Sequence, residues 1–474
     1  MKKIKYIALL AGSLFAASAC SDLLDTEPKQ SISVEGALAS ADVLTGLLIN
    51  CYDDYQSNAR LGSAWFVMPE IMADNFTRNI NRGTFGAQFN NTLNAHMGAW
   101  GNYSTMLRLN VVIEGADVLP PAVVGEAYAL RALSYFYLMN IYAYMPTNVI
   151  ADQNRGGVPL ITSAVLDIAD VTFPARASID EVYDFMLADI ERAIGLLATT
   201  GTKARFTKAS AAALGSRIAL YRGNWSLAAQ YAEDAISSGI ARLSTPAAYA
   251  SDWATAIHPE ALWYLEFQNN ENQGPNESLQ SIYISGPTTL HPDYVGNGDF
   301  TPSLAVRNLI TANPSDVRNG ILKPQTIVGR ANAVGTIEMH KFQGNTGQPN
   351  TDNIPIFRMS EMYLNLAEAR YHLNQIPAAQ AALQTLKRRN LNDAALVITT
   401  TGADLLEEIL TERRLELLGE GHRFFDLKRY GRDIDKTASD LIGEVIEFND
   451  RRILAPLPSG DLNINPNLIN NFGY

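Results

Sequence analysis

The stretch "TKASAAALGSRIALYRGNWSLAAQYAEDAISSG", from Thr207 to Gly239, decides the fold class. Apolar and small residues recur at helical spacing on both sides of the turn signal Gly223-Asn224, so the stretch predicts two helices joined by a tight turn. Small residues on one face of the second helix would let the two helices approach closely. These small residues are Ala228, Ala232 and Ala235.

A second stretch repeats this arrangement. "RMSEMYLNLAEARYHLNQIPAAQAALQTLKRR", from Arg358 to Arg389, again predicts two helices, joined between Asn374 and Pro377. Both pairs resemble the tetratricopeptide pattern in an irregular form, without a clean repeat of about 34 residues. The chain is therefore expected to be mainly α-helical, with helical pairs packed side by side. The second helix of this pair carries its close-packing residues at the same spacings, namely Ala379, Leu383 and Leu386.

Further helices and one strand are predicted around these pairs. Ser178 is a candidate N-cap, and Glu181 follows it by three residues, which is the pattern of a capping box. A helix should therefore begin at Ile179. The predicted helices are Val34–Tyr55, Val123–Met145 (ended by Pro146) and Ile179–Leu197, and the predicted strand is Glu260–Gln268.

Two long stretches rich in polar and turn-forming residues interrupt the helical parts. Long irregular segments inside a compact protein usually carry function. We therefore expect one domain, residues 34–474, in which helical pairs support an irregular, loop-rich ligand-binding half with few short strands. The helical scaffold should lie mainly in residues 34–60, 101–240 and 354–430, and the irregular binding regions in residues 68–100 and 241–353.

The N-terminus predicts a lipoprotein signal peptide over residues 1–19. A basic start precedes a short apolar segment, Ile7 to Ala19, which is too short to span a bilayer. Cys20 follows small residues directly, so we expect its thiol to be acylated and residues 20–33 to form a polar, lipidated tether. The alternative is an ordinary secreted protein with a cysteine at that place by chance. The other cysteine, Cys51, would then have no disulfide partner.

The charge balance bears on the class of partner. The formal net charge is −12, which disfavours nucleic acid as the main ligand. The sequence contains no zinc-protease motif, no phosphate-binding loop, no dinucleotide fingerprint and no nucleophile elbow. No cofactor, metal or catalytic residue is therefore expected, and the chain is not predicted to be an enzyme.

At this point several motifs, taken in order, resemble the SusD/RagB family of Bacteroidetes outer-membrane lipoproteins. The resemblance implies a tetratricopeptide-like scaffold under a glycan-binding surface, lipid-anchored at the cell surface. It also implies capture of an oligosaccharide for a SusC-like TonB-dependent transporter. The motifs are the leader, "EAYALRALSYFYLMNIYAYMPTN", "LYRGNWSLAAQYAEDAI", "IPIFRMSEMYLNLAEARYHLN", "ILTERRLELLGEGHRFFDLKRYG" and "LAPLPSGDLNINPNLINNFGY".

The candidate ligand-binding residues lie in the two irregular regions. Sugar recognition needs aromatic faces together with amide, carboxylate and guanidinium groups for the hydroxyls. The resemblance places the glycan site on loops at these two positions of the chain, so the loops are expected to meet in space. The candidates are Asp74, Asn75, Arg78 and Asn79 in the first region, and Tyr283, Tyr294 and Phe300 in the second.

Two other functions remain as alternatives. One is a peptide or glycopeptide binder of the same architecture, and the other is a glycosidase that uses a pair of carboxylates. The charged stretch Thr411–Gly431 could hide such a pair, but charges three and four residues apart favour a salt-bridged helix before a glycine-rich turn. The aromatic residues Tyr128, Tyr135 and Tyr142 recur at helical spacing and are expected in the core.

Overall fold

The computed structural model describes residues 36, 38–79, 84–93, 95–325, 334–437 and 442–474. The predicted signal peptide, the tether and Cys20 lie outside these residues. The described chain is mainly α-helical, as predicted. Within the ranges just given, none of the helices combines the length and the apolarity needed to cross a membrane.

The helical pair that decides the fold forms as predicted. Lys208–Arg222 follows the cap residue Thr207, and it ends at Gly223, whose φ of 79° is easily adopted by glycine. Asn224 then caps Trp225–Ser237 by accepting a hydrogen bond from the backbone N–H of Leu227. The second predicted pair is also confirmed, as Met359–His372 and Ile376–Asn390.

Capping explains the start of another helix. The Ser178 hydroxyl accepts from the N–H of Glu181, and the Glu181 carboxylate accepts from the N–H of Ser178, so Ile179–Leu196 begins where predicted. Pro121–Tyr142 ends earlier than expected, at Tyr142, because the chain becomes extended at Ala143 and turns around Pro146.

The helices are numbered in chain order. They are α1 (Ala41–Gln56), α2 (Ala64–Ile71), α3 (Gly86–Phe89), α4 (Asn102–Glu114), α5 (Pro121–Tyr142), α6 (Ile179–Leu196), α7 (Lys208–Arg222), α8 (Trp225–Ser237), α9 (Tyr249–Asp252), α10 (Leu279–Tyr283), α11 (Leu304–Thr311), α12 (Met359–His372), α13 (Ile376–Asn390), α14 (Gly402–Glu416), α15 (Arg423–Arg429) and α16 (Ser459–Ile464). Consecutive scaffold helices pack against each other, from α4 on α5 through α8 on α12 to α12 on α13.

The strands are short and form two-stranded pieces among the described residues. All pairs are antiparallel. The predicted strand is confirmed as Ala261–Leu265, and all five of its residues are buried. The pairs are β1 (Phe76–Arg78) with β3 (Phe300–Pro302), β2 (Ala261–Leu265) with β6 (Ile354–Arg358), β4 (Leu322–Pro324) with β5 (Ile337–Met339), and β7 (Ile434–Asp435) with β8 (Val445–Ile446).

The predicted aromatic stripe lies in or against the core. Tyr135 and Tyr142 are buried, and Tyr128 packs half-buried at the edge of the core. The ring of Trp263 on β2 is also buried and tilts against Phe206, with 4.6 Å between the ring centroids. These side chains are therefore packing residues.

The charged stretch Thr411–Gly431 is salt-bridged, but mainly not along its own helix. Glu416 on α14 accepts from Arg358 at 3.2 Å and from Arg389 at 2.9 Å, and both arginines lie on other elements. Asp426 does pair with Arg429 three residues on, at 2.8 Å. The expectation of pairs spaced three and four apart is therefore mostly wrong, because these side chains are buried and meet partners from distant parts of the chain.

A buried ionic cluster joins the two halves of the fold. The cluster consists of Glu260, Lys341, Arg358, Arg389, Glu416 and Glu420. Burial alone would raise the pKa of Glu260, but Arg389 and Arg358 hold it well below its usual value. Removing one member would leave an unpaired buried charge, so the cluster fixes how the loop-rich half sits on α12–α14.

Candidate functional site

The two predicted binding loops meet in space. Strands β1 and β3 bring them together, with Phe76 opposite Pro302 and Arg78 opposite Phe300. Backbone hydrogen bonds extend this contact on both sides. The N–H of Ser303 donates to the carbonyl of Asn75 at 2.7 Å, and the N–H of Asn79 donates to the carbonyl of Asp299 at 2.8 Å. The pairing of the loops is thus a backbone arrangement.

Asp74 and Asn75 hold the first loop to the helical half. The carboxylate of Asp74 accepts from Arg423 at 2.7 and 2.9 Å and lies 3.0 Å from Arg414. Burial works to raise the pKa of Asp74, but the two guanidinium groups lower it below its usual value. The amide of Asn75 donates to Glu70 at 2.7 Å and accepts from Arg414 at 2.7 Å.

The aromatic candidates lie in the interior. Tyr283 is fully buried, with its ring centroid 5.1 Å from that of Phe76, and burial raises its pKa well above the usual value. Phe300 is also fully buried, 5.9 Å from the ring of Phe89. Neither ring presents a face on which a sugar could stack in this conformation. Their ligand-binding roles stay predictions, and their surroundings favour a packing role.

The remaining candidate residues contact other residues of the protein or are buried. The guanidinium of Arg78 lies 5.9 Å from the centroid of Phe89, over its ring. The side chain of Tyr294 donates from its hydroxyl to Asn350 at 2.7 Å. Asn79 is buried at the end of β1. Binding by these residues is untested, and the packing gives each of them a role within the two loops.

A cleft of about 450 Å³, which we call the polar cleft after its polar lining residues, lies beside the second loop. It is bounded by α9, by the segment Gly286–Thr289 and by the β4–β5 hairpin, and every lining residue falls in the predicted binding region 241–353. The volume lies in the range that small ligands occupy. Its polar lining consists of Ser251, Thr288, Thr289, Lys323, Gln325, Glu338, His340 and Gln343.

One buried carboxylate anchors the wall of the polar cleft. Glu338 on β5 accepts from the N–H of Ser285 at 3.1 Å and from its hydroxyl at 2.5 Å. The imidazole Nε2 of His340 lies 3.9 Å from Glu338, and Lys323 is the cross-strand neighbour of Glu338. Ser285 therefore holds the Glu338 carboxylate in place beside the His340 imidazole, and Lys323 lines the cleft from the paired strand.

Other lining residues add hydroxyl and amide groups. Ser251 and Thr289 are exposed at the mouth of the cleft. The side-chain amide of Gln343 donates to the carbonyl of His340 at 3.0 Å, so its position is fixed by the backbone. The cleft thus offers donors and acceptors of the kinds that bind sugar hydroxyls.

The carboxyl groups that line the polar cleft bear on the glycosidase alternative. Two carboxyl groups on opposite sides of the scissile bond are the usual requirement. Of the described residues that line the cleft, Glu338 alone carries a carboxylate. Within the described ranges, no group of three His, Cys, Asp or Glu residues is placed to bind a metal ion.

The sequence pointed to the region of this cleft but not to its residues. Gly286–Thr289 falls inside the predicted second loop, between the candidates Tyr283 and Phe300, whereas strands β4 and β5 were not singled out. The alternation of apolar and polar residues in "TIEMHKF" was the available signal, because it places Glu338 and His340 on one face of a strand.

Family models and a related sequence indicate the same family. A model described as the SusD family matches residues 334–474, and a model described as starch-binding and associating with the outer membrane matches residues 22–220. A SusD-like protein of Formosa agariphila is 28% identical over 528 aligned positions, which cover 100% of both chains.

Solved structures show the same fold. A SusD superfamily protein of Bacteroides thetaiotaomicron matches with a TM-score of 0.79 and 25% identity, covering 91% of this chain and 99% of that one. A surface glycan-binding protein of Bacteroides uniformis matches with a TM-score of 0.71 and 22% identity, covering 91% of this chain and 99% of that one. At 22% identity this second match shows the fold alone.

Proposed function

Because the chain belongs to the SusD/RagB family, we propose that it is a glycan-binding protein of the outer membrane that captures an oligosaccharide. The observation that carries the proposal is the polar cleft, where a carboxylate, an imidazole, an ammonium, amides and hydroxyls converge in the loop-rich half. Groups of these types can bind the several hydroxyls of a sugar at once.

The experiment is a binding screen with a built-in test for hydrolysis. The purified chain without its leader is incubated with a panel of polysaccharides, and both depletion of the glycan and the appearance of new reducing ends are measured. Depletion of one glycan without new reducing ends is the expected result. New reducing ends would make the chain a glycosidase, and binding confined to peptides would favour the peptide-binding alternative.

Lipid anchoring at the cell surface is the second part of the proposal. Its support is the short apolar leader followed by Cys20. Acyl chains contribute about 0.8 kcal/mol per buried methylene, so two or three chains would hold the protein firmly. The Cys20→Ser variant should appear in the soluble fraction or remain unprocessed. A processed variant that still fractionates with membranes would contradict the anchor.

Delivery to a SusC-like TonB-dependent transporter is the third part. It rests on family membership, since fold alone does not specify a partner. A C-terminally tagged chain, extracted from membranes in mild detergent, should recover a large barrel protein in nearly equal amount. Recovery of the tagged chain without such a protein would contradict delivery while leaving glycan capture intact.

A further inference from the structure

The charged groups of the polar cleft bear on the kind of glycan that it takes. Of the described residues that line the cleft, Lys323, Glu338 and His340 can carry a charge. Their access to a ligand differs, because Lys323 is exposed whereas Glu338 is 1% exposed and His340 9%. The charge that these lining residues present to solvent is therefore the positive charge of Lys323.

The negative charge of Glu338 is already bound from within the protein. Its two carboxylate oxygens accept from the backbone N–H of Ser285 at 3.2 and 3.1 Å, and one of them also accepts from the Ser285 hydroxyl at 2.5 Å. A buried carboxylate with these donors has little capacity left for a ligand. Lys323 lies across the strand pair from Glu338, and its ammonium is in no ion pair within the described ranges. That ammonium is available to a ligand.

The other carboxylates near the polar cleft do not line it. Asp252 on α9 is buried, and Asp316 is bound by an arginine at 2.7 Å. The carboxylate of Asp352 accepts from the backbone N–H groups of residues 343–345, at 2.9 to 3.1 Å. Asp293 is exposed, but it is not among the lining residues. No described carboxylate therefore competes with a ligand for the Lys323 ammonium.

The uncharged part of the lining favours polar contacts over stacking. The described lining residues include no phenylalanine, tyrosine or tryptophan, so a neutral sugar ring finds no such aromatic face there. Hydrogen-bond donors are present instead. The Thr288 hydroxyl oxygen accepts from the N–H of His291 at 3.0 Å, which leaves its own O–H to donate, and Thr289 is exposed at the mouth. Hydrogen bonds to a charged acceptor are about twice as strong as those between neutral groups.

We propose that the polar cleft takes an anionic glycan, one that carries carboxylate or sulfate groups, and that Lys323 binds the anion directly. This inference rests on the proposed glycan capture and adds the chemical class of the sugar. The net charge of −12 does not attract such a ligand from a distance, so recognition depends on contact with Lys323. Position matters as well as sign, because a cation placed across the mouth, on α9, would fill the space of the ligand.

A screen of charged polysaccharides, each paired with its neutral form, tests the class of ligand. The pairs are polygalacturonate with its methyl ester and a sulfated galactan with its desulfated form. The purified chain without its leader should bind a charged member, and neutralising that member should weaken binding at least tenfold. Loss on methyl esterification identifies a carboxylate, and loss on desulfation identifies a sulfate. Equal or tighter binding of the neutral form would overturn the inference and leave glycan capture intact. Failure to bind any polysaccharide, charged or neutral, would contradict glycan capture itself.

Variants of Lys323 test the contact. Lys323→Gln should weaken binding of the charged polysaccharide at least tenfold, and Lys323→Arg, which keeps the charge, should stay within threefold of the parent. The matched control is Lys208→Gln, since Lys208 lines a separate cleft of about 290 Å³ among α6, α7 and α8. It removes the same charge and should change affinity less than twofold. All three variants should melt like the parent. Equal affinities of Lys323→Gln and Lys208→Gln would refute the contact.

Discussion

Replacing Asp74 by asparagine separates a structural role from a ligand-binding one. The sequence suggests that Asp74 contacts a sugar, whereas the structure shows its carboxylate between Arg423 and Arg414. Asparagine keeps the shape of the side chain but removes its charge. We therefore expect Asp74→Asn to lower the free energy of unfolding, because two guanidinium groups lose their counter-charge in a site that is mostly closed to water.

The magnitude follows from the exposure of the three side chains. Asp74 is 16% exposed, Arg414 15% and Arg423 14%. Breaking a fully buried pair costs about 3–5 kcal/mol, and an exposed pair contributes about 0.2–1 kcal/mol. Two pairs at this intermediate exposure should together contribute about 2–3 kcal/mol.

The assay is urea denaturation at two pH values. The pKa of Asp74 is lowered in the fold, so its stabilising effect is fully present above its ordinary pKa of 3.8 and is lost as the pH falls below that value. The difference between the parent and Asp74→Asn should therefore be largest at pH 7 and should shrink below pH 3.8.

The matched control is Asp180→Asn. Asp180 also pairs with an arginine, Arg222, but its side chain is 67% exposed, so its loss should cost less than about 0.5 kcal/mol. If Asp74→Asn kept the parent's stability and lost glycan affinity tenfold, the structural role argued here would be wrong. Asp74 would then be a ligand contact.

Three further changes test the packing of the fold. Tyr283→Phe should leave the free energy of unfolding unchanged or raise it by up to about 1 kcal/mol, because the buried hydroxyl has no hydrogen-bond partner among the described residues. A decrease of more than about 1 kcal/mol in urea denaturation would contradict this. Burial, with Lys428 nearby, lowers the pKa of His96 to about 4. As the pH falls from 6.5 towards 4, the free energy of unfolding of the parent should therefore fall by about 2 kcal/mol more than that of His96→Gln. Parallel curves of stability against pH for the two proteins would contradict this. Gly421→Ala should lower the free energy of unfolding by more than about 2 kcal/mol, because φ is 82° and the new Cβ would lie 2.3 Å from the carbonyl oxygen of Trp65. The control Gly402→Ala, at a positive φ in open space, should lower it by about 1 kcal/mol. Equal melting temperatures of the two variants would contradict this.

Local signals made the helical scaffold predictable. The capping box at Ser178 and the glycine at position 223 are determined by neighbours within four residues, so the sequence around them suffices to place the helix ends. The core position of Tyr135 follows likewise from helical spacing. The end of α5 was placed three residues too late, at Met145 rather than Tyr142, because the chain is already extended at Ala143 and turns between Met145 and Asn148.

Contacts between distant residues were not predictable in the same way. Arg423 and Asp74 are 349 residues apart, so the sequence around either residue does not predict that they pair. The burial of Tyr283 has the same origin, since Tyr283 ends the short helix α10 and residues distant in sequence decide whether its ring faces solvent or core. The two loops were correctly expected to meet, but which of their side chains face outward is decided by packing against Phe76, Phe89 and Phe342.

For the polar cleft, the region of the chain was predictable from the sequence but the individual lining residues were not. Its location in residues 241–353 was expected from the composition of that region, and all of its lining residues fall there. The pairing of β4 with β5 brings Lys323 opposite Glu338, and this register depends on a hairpin whose tertiary neighbours set its position. The residues of the cleft could therefore be named only once the strands were placed.

The central claim, that the polar cleft captures the glycan, is tested most directly by calorimetry on two serine variants. Ser251 and Ser237 are both exposed helix-end residues whose hydroxyls donate to the carbonyl three residues before them, at 3.0 and 3.3 Å, but of the two only Ser251 lines the cleft. With the glycan identified in the polysaccharide screen, Ser251→Arg should lower affinity at least tenfold by filling the mouth of the cleft, and Ser237→Arg should change it less than twofold. Both variants should melt like the parent. Parent-like affinity in Ser251→Arg, with its fold intact, would contradict the claim and place the glycan elsewhere on the molecule.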